Sequence, residues 1–420
     1  MTRTGEVQRS AERAQPRAVQ QPYLERLVIN VTHDCNLRCS YCYADTGAYG
    51  AKRMILSEKT GEEIVDDFFA RFRQIGQIQF FGGEPFLNID GIESLCEHVT
   101  NICRRENVTR PAFTMSSNGT ILNDRIVDII NRYHISITVS LDGARLINDS
   151  QRKYASGAGS YERVIKNIAI LKERTGQPAQ IEGTYTARHV EMDFSLVEFM
   201  KFIATELDVH YLHMPWILGN AYQGTGIEPT EKNIDHLISV YRAANVESLR
   251  SLQTPELEET IVLSAVGRAL ERAQTANAQQ RRHICPAGSG TLSVGADGKI
   301  FPCFMFTNKA QFEFGHIGSV DDGEFERRRA AFVNRLELPA GEVGTRFESG
   351  SACAGQNFEM GGEIDYISAA NRNVQAAVDT HLQEKVASLK SDSDLWDWIQ
   401  IKLMLNRLAM SRDGAPKAGC

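Results

Sequence analysis

An α/β fold built on a parallel sheet is what this sequence predicts, on three observations. Strand-like and helix-like segments alternate six times between about residues 26 and 220, at roughly thirty-residue spacing, the period of βα units joined by right-handed crossovers. The polar and reactive residues of that stretch fall just after the strand-like runs, where open sheets and barrels alike place their chemistry. Beyond about residue 229 the pattern turns helical and then hairpin-like, so a second unit follows the first. Periodicity alone leaves an open doubly wound sheet and a barrel both standing.

The elements follow in order. Residues 27–31 are apolar and β-branched, hence a strand. Ser57, with the apolar period that runs to Phe72, predicts a capped amphipathic helix. A strand over 77–81 runs into Gly82-Gly83, and a helix over 91–105 comes next. A strand over 111–116 stops at the Ser117-Asn118-Gly119 turn, and a helix spans 124–133. The alternating ISITVSL of 135–141 is a strand ended by Asp142-Gly143. A helix over 161–174, a strand over 180–185, a helix over 194–206 and a strand over 210–216 complete the repeats. Residues 229–276 read as helical, and 291–301 as a β-hairpin turning at Asp297-Gly298. The Gly- and charge-rich 321–364 reads as loop or linker, and 369–389 and 394–410 as helices.

With 420 residues the chain has room for two or three domains and a large core. Its net charge of −7 weighs against sequence-independent nucleic-acid binding, which needs clustered cations to displace counterions. No apolar run reaches the roughly 20 residues of a membrane helix. The first 25 residues are polar, mix Arg with Glu and lack a signal-peptide core. We read them as a solvated lead-in and expect a cytoplasmic protein without membrane or nucleic-acid partners. Nine cysteines, an odd number, do not make a disulfide framework in such a chain.

Three of them form Cys35-x-x-x-Cys39-x-x-Cys42, in the loop after the first strand. Three thiolates on one loop can converge on one metal centre and leave a position open. An open zinc site mixes in His or carboxylate ligands and favours hydrolysis, whereas iron–sulfur clusters take all-Cys ligation at short spacing. A zinc staple with His33 as fourth ligand is the alternative. No H-E-x-x-H pair and no Walker A loop is present. In Gly82-Gly83-Glu84-Pro85 the glycines allow close backbone approach to a ligand, and the carboxylate suits an ammonium group. Ser117-Asn118-Gly119-Thr120 and Ser140-Leu141-Asp142-Gly143 offer groups for ribose hydroxyls, and Arg152 suits a carboxylate. Alone, each of these reads as an ordinary turn or surface cation. Glu182 and Tyr185 face either the site or the core. Cys285 and Cys303 bracket the hairpin as a metal clip would. Cys96 and Cys103, seven apart on one helix face, read as core.

Taken in order, the cysteine triplet, the GGEP turn, the SNGT and SLDG loops and Arg152 resemble the radical SAM superfamily over about residues 26–220. The resemblance implies a partial (β/α)6 TIM-like barrel followed by an auxiliary-cluster domain with a β-hairpin and helices. It divides the chain into the 1–25 lead-in, a core over 26–228, a helical connection over 229–279, an auxiliary domain over 280–364 and C-terminal helices over 365–420. It implies that Cys35, Cys39 and Cys42 are the catalytic ligands of a 4Fe–4S cluster that binds S-adenosylmethionine (SAM). Tyr41 would lie near adenine, and Gly82, Gly83 and Glu84 at the amino group. Asn118 and Ser140 would meet the ribose, and Arg152 the carboxylate. The Cys285…Gly298…Cys303 segment resembles the start of a SPASM or twitch domain, but the dense cysteine run of a full SPASM domain is missing, leaving only Cys353 and Cys420. One auxiliary 4Fe–4S cluster on Cys285, Cys303 and Cys353 is therefore expected, with Cys420 or a substrate group as fourth ligand; buried free thiols are the alternative.

The implied activity is reductive cleavage of SAM to a 5′-deoxyadenosyl radical that abstracts a substrate hydrogen, with a flavodoxin- or ferredoxin-type protein as electron donor. Family members with auxiliary domains mostly modify peptides. The first expectation is therefore an oxidative cross-link, thioether or C–C, in maturation of a ribosomal peptide. The short lead-in leaves the precursor's leader to a separate binding protein. A twitch-type dehydrogenase acting on a small molecule is the alternative, and the reduced cysteine count favours it. A sulfatase-maturing enzyme fits less well, because Phe304 stands where that family carries an Asp base. A non-enzymatic iron–sulfur protein would not need the GGEP turn, Ser140 and Arg152.

Overall fold

The computed structural model describes residues 23–219, 224–256, 259–274, 283–337 and 353–410, with side chains to 405. Residues 1–22 of the lead-in and Cys420 lie outside them. Strands β1 (Leu24–Thr32), β2 (Ile75–Gly82), β3 (Ala112–Ser117), β4 (Ser136–Ser140), β5 (Gln180–Glu182), β6 (Tyr211–His213) and β7 (Val262–Leu263) lie side by side and parallel. The connections carry helices α1 (Glu58–Arg71), α2 (Ile89–Glu106), α3 (Asp124–Tyr133), α4 (Arg145–Gln151), α5 (Tyr161–Thr175), α6 (Ala187–Glu191), α7 (Leu196–Leu207) and α8 (Glu231–Gln253). The result is a partial TIM-like barrel, open rather than closed on itself.

Local chemistry sets the element ends. The Ser57 hydroxyl accepts from Thr60 N at 3.1 Å and starts α1. The Asn123 side chain does the same for α3, which stops at His134 in the left-handed region. Along β4, Ile137 and Val139 bury against the helices, while Ser136, Thr138 and Ser140 line the inside. Such a strict period of two lets one strand serve a core on one face and a cavity on the other. The strand interiors of a closed barrel are filled by Val, Ile and Leu; here Gln77, Gln79, Thr114, Ser116 and Thr138 leave the lumen polar.

The later chain joins the same sheet. After α9 (Ser264–Gln274), strands β8 (Thr291–Val294) and β9 (Lys299–Phe301) form the expected antiparallel hairpin, extended by β10 (Gly315–His316). The order is β10-β9-β8-β1-β2-β3-β4-β5-β6-β7, because β8 pairs in parallel with β1. That pairing joins residues 263 positions apart: Asn30 Nδ2 donates to Ser293 Oγ at 3.2 Å. Within 321–364 the loop expectation is corrected. Asp321 caps α10 (Asp322–Arg335), whose charged sequence hides two buried anchors, Phe325 and Phe332; α11 (Ala354–Gly361) follows Cys353. Within 229–276 the pattern is likewise broken, by β7. Helices α12 (Ala369–Lys390) and α13 (Ser393–Met410) pack on α8. A buried guanidinium ties the two parts together: Arg71 on α1 binds Asp67 and Asp322, each at 2.7 Å. Among the described residues no helix is long and apolar enough to cross a membrane.

Candidate active site

The C-terminal ends of β1 to β6 open on one cavity of about 1460 Å³. Cys35, Cys39 and Cys42 all line it, on the loop that leaves β1. That loop is tied down from below. Arg38 N donates to Lys153 O at 2.6 Å and Ser40 N to Gln151 O at 3.0 Å. The Arg38 guanidinium turns back onto Cys35 O and Leu37 O, at 2.6 and 2.7 Å. Burial pushes the Cys35 thiol up to about 12 and the Cys39 thiol up to about 11. The neighbouring thiols push each of them further in the same direction, so the three are within electrostatic reach of one another. A cationic centre reverses that penalty, since thiolates are the species that bind metal.

A four-iron cluster therefore fits this donor set better than a single zinc. Among the described residues no group of three or more His, Cys, Asp or Glu side chains is arranged to hold one metal ion. The His33 Nε2 accepts from Ala296 N at 3.2 Å, in the hairpin, and its Nδ1 is buried without a partner. Backbone crowding around the loop is severe. A Cβ on Gly83 would stand 2.1 Å from Asp34 O, and one on Gly47 would stand 3.0 Å from the Cys35 Cβ. Only glycine lets these segments close around the cysteines.

Gly82 and Gly83 line the cavity, but Glu84 does not. Its carboxylate is wholly buried and accepts from Phe86 N (3.1 Å), Ser117 Oγ (2.8 Å) and Asn118 N (2.7 Å). Glu84 thus shapes the site from behind, by holding the glycine turn to the loop after β3. Asn118 passes the connection on: Nδ2 donates to Asn36 Oδ1 at 2.8 Å and reaches Cys35 Sγ at 3.6 Å. Ser140 and Arg152 both line the cavity. Arg152 donates to the Tyr41 hydroxyl at 2.6 Å and keeps Nε buried without a partner. Such an unused donor suits an acceptor of a ligand, a carboxylate among them. Tyr41 is anchored through its hydroxyl, which donates to Asp142 at 2.7–2.8 Å.

Asp142 is the residue that sequence reasoning missed. The Asp-Gly pair read as a strand stop, yet Asp142 is fully buried and is the hub of the loops. Besides Tyr41 it accepts from Thr184 N at 3.2 Å, while its carbonyl accepts from His189 Nε2 at 2.7 Å. The far wall of the cavity comes from the later chain: Phe304, Met305, Cys353 and Gln356. Phe304 packs against Phe81 with the rings tilted and 4.4 Å between centroids, and lies 6.2 Å from Tyr43. Behind it, Cys285, Cys303 and Cys353 share one electrostatic neighbourhood. Burial raises Cys303, with Cys353 and Cys285 adding to it, and burial then Cys285 push Cys353 up to about 11. Cys96 and Cys103 sit in the apolar core, as expected.

Residues 29–203 match the Radical SAM superfamily. Curated relatives include an uncharacterized protein of Methanocaldococcus jannaschii, 31% identical over 180 residues, which are 43% of this chain and 58% of that protein. Another is the radical SAM cyclopropyl synthase TigE of Paramaledivibacter caminithermalis, 25% identical over 164 residues, 36% of this chain and 33% of the relative. The matches thus span between a third and six-tenths of these relatives' lengths. Among solved structures, anSMEcpe with bound AdoMet superposes at a TM-score of 0.67, with 16% identity over 88% of this chain and all of that one. The same protein with bound AdoMet and Kp18Cys peptide superposes at 0.65. At that identity the likeness is one of fold.

Proposed function

We propose that this chain, which matches the Radical SAM superfamily over residues 29–203 and has a SPASM-type fold, is a radical SAM enzyme that matures a peptide by forming an oxidative thioether or C–C cross-link. The observation that carries this reading is the shared cavity. It collects the three motif cysteines, Gly82, Gly83, Asn118, Ser140 and Arg152 on the barrel side, and Phe304, Met305 and Cys353 on the other. The cavity of about 1460 Å³ also runs down the lumen to Arg26, Ala112 and Gln180; its upper part, between the motif cysteines and Phe304, is where we place SAM and a peptide segment. When bound, the cluster and SAM supply a 5′-deoxyadenosyl radical.

The chain's own residues do the positioning. Cys35, Cys39 and Cys42 hold the cluster as thiolates. The Gly82-Gly83 backbone, clamped by Glu84, receives the SAM amino group, and the free donor of Arg152 receives its carboxylate. Ser140 and Asn118 stand at the ribose. Tyr41, fixed by Asp142, forms the wall beside adenine. Phe81 and Phe304 present an apolar wall that excludes water from a reactive centre. Cys285, Cys303 and Cys353 hold one auxiliary 4Fe–4S cluster. A flavodoxin- or ferredoxin-type donor supplies the electron.

Co-expression with a short peptide encoded beside the gene tests this. Loss of hydrogens from the peptide's intact mass, abolished by Cys35→Ala, is the expected result. An unchanged peptide sinks the reading. It would favour the second one, a small-molecule radical dehydrogenase, which the sparse auxiliary cysteines support.

A further inference from the structure

Two carboxylates flank this site, Glu84 buried and Glu182 half-buried, and they differ in their partners. Glu84 is saturated by three donors of its own chain. Glu182 lines the cavity, and among the described residues no side chain or backbone group donates to its carboxylate. Its place in the sheet is well defined. Register pairs Ser140 on β4 with Glu182 on β5, and Glu182 with His213 on β6. All three point into the lumen, because Val139, Ile181 and Leu212 take the opposite face. They form one polar tier at the rim, with Gln79 below it on β2 keeping Oε1 buried and unpartnered.

The charged groups facing Glu182 do not replace a ligand. Arg152 and Arg26 act on it through space alone, Arg152 being bonded to Tyr41 and Arg26 to Thr291 Oγ1 at 3.3 Å. Asp142 opposes them, and burial outweighs all three. His213 spends Nδ1 on Ser264 Oγ at 2.7 Å. Glu182 is half-buried and open to the lumen, so an acceptor that no group of the chain uses is offered to whatever fills the cavity. Another wall of the same cavity is apolar, through Phe81, Phe304 and Met305. A ligand that satisfies both walls has an apolar stem and an N–H or O–H donor at its tip.

We propose that Glu182 is the specificity-determining residue of the substrate site, accepting a hydrogen bond from the donor tip of a long substrate side chain whose stem lies on the aromatic wall. Lysine-like and hydroxyl-tipped side chains share that chemistry. The inference rests on the cavity being the SAM and substrate site proposed above, and extends it to the group that the site selects.

The test uses the anaerobically reconstituted full chain with SAM. SAM affinity is read by equilibrium dialysis. Binding of three capped residues, Nα-acetyl methylamides of lysine, 6-hydroxynorleucine and norleucine, is read by saturation-transfer NMR. The probes share a stem and differ at the tip: cationic donor, neutral donor, none. The expected result is binding of one or both donor probes at least tenfold tighter than norleucine. Glu182→Met, which removes the acceptor, erases that difference. Glu182→Gln, which keeps an acceptor without charge, retains the hydroxyl probe and loses the lysine probe. SAM affinity stays within threefold in both variants, which also shows that they fold. Equal binding of all three probes to the wild type overturns the proposal, as does full retention in Glu182→Met. A tenfold loss of SAM affinity in both variants overturns it too, by making Glu182 a cofactor ligand. Failure of the wild type to bind SAM at all is a different result, and removes the proposed function first.

Discussion

Replacing Glu84 by Gln is the sharpest probe of the site's scaffold, because the side chain keeps its shape and loses only one acceptor. One carboxylate oxygen takes Phe86 N and Ser117 Oγ, and the other takes Asn118 N. A glutamine amide has one oxygen and one NH2 group. With the oxygen toward Asn118 N, the NH2 group faces Phe86 N–H; flipped, it faces Asn118 N–H. Either way one buried backbone donor meets another donor, and the remaining bonds lose their charge assistance. An unsatisfied buried donor costs about 1–3 kcal/mol, and bonds to a charged group exceed neutral ones by about 1 kcal/mol. The sum is about 2–4 kcal/mol. It falls on the Gly82-Gly83 turn and on Asn118, which braces Cys35. Equilibrium dialysis should show SAM affinity reduced roughly thirty-fold or more, with a lowered thermal midpoint. A Glu84→Gln enzyme whose SAM affinity stays within twofold and whose midpoint is unmoved would refute the clamp.

Other outcomes follow from the same geometry. Arg71→Met takes the guanidinium from buried Asp67, which keeps Gly318 N at 3.4 Å, and breaking such a pair costs about 3–5 kcal/mol; the thermal midpoint should fall, and hydrogen exchange should rise in α1 and α10 together. Stability should also decline in mild acid through His213, which burial and then Arg268 hold down at about 4, from 6.5. The unfolded chain then binds more protons between those values, so the contribution is complete above pH 6.5 and is lost as pH falls toward 4. We expect about 2 kcal/mol, partial exposure included, seen as a shallower acid decline in His213→Gln; identical slopes would count against it. Iron analysis after reconstitution should give about eight irons per chain, dropping to about four in Cys303→Ser.

What the sequence made legible was mostly local. The Ser57 cap, the α3 span, the hairpin at Asp297-Gly298 and the cysteine spacing each lie within a dozen residues or so, and each is where it was expected. Helix α10 was hidden because ERRRAAF reads as a solvated run, although Phe325 and Phe332, seven apart, carry its buried stripe. Glu84 was legible as important but not as a clamp, since the donors that saturate it include Ser117 and Asn118 on another strand's loop. Asp142 looked like a turn residue because its partners, Tyr41 and Thr184, lie about a hundred and about forty positions away. The addition of β8 to the edge of β1 had no local signal at all.

That last pairing bears on how the protein comes into being. Strand β1 carries the cysteine loop, and over residues 26–29 its outer edge pairs with a segment that emerges from the ribosome some 263 residues later. Until then the nascent barrel presents an open, apolar strand edge, the kind of surface that invites pairing with another chain. The thiols of Cys35, Cys39 and Cys42 meanwhile lack the wall formed by Phe304 and Met305. Completion of the sheet thus comes late, and closing so long a loop makes this a slow-folding topology. Metal loading during synthesis would meet an unfinished site, whereas loading after release meets a finished one.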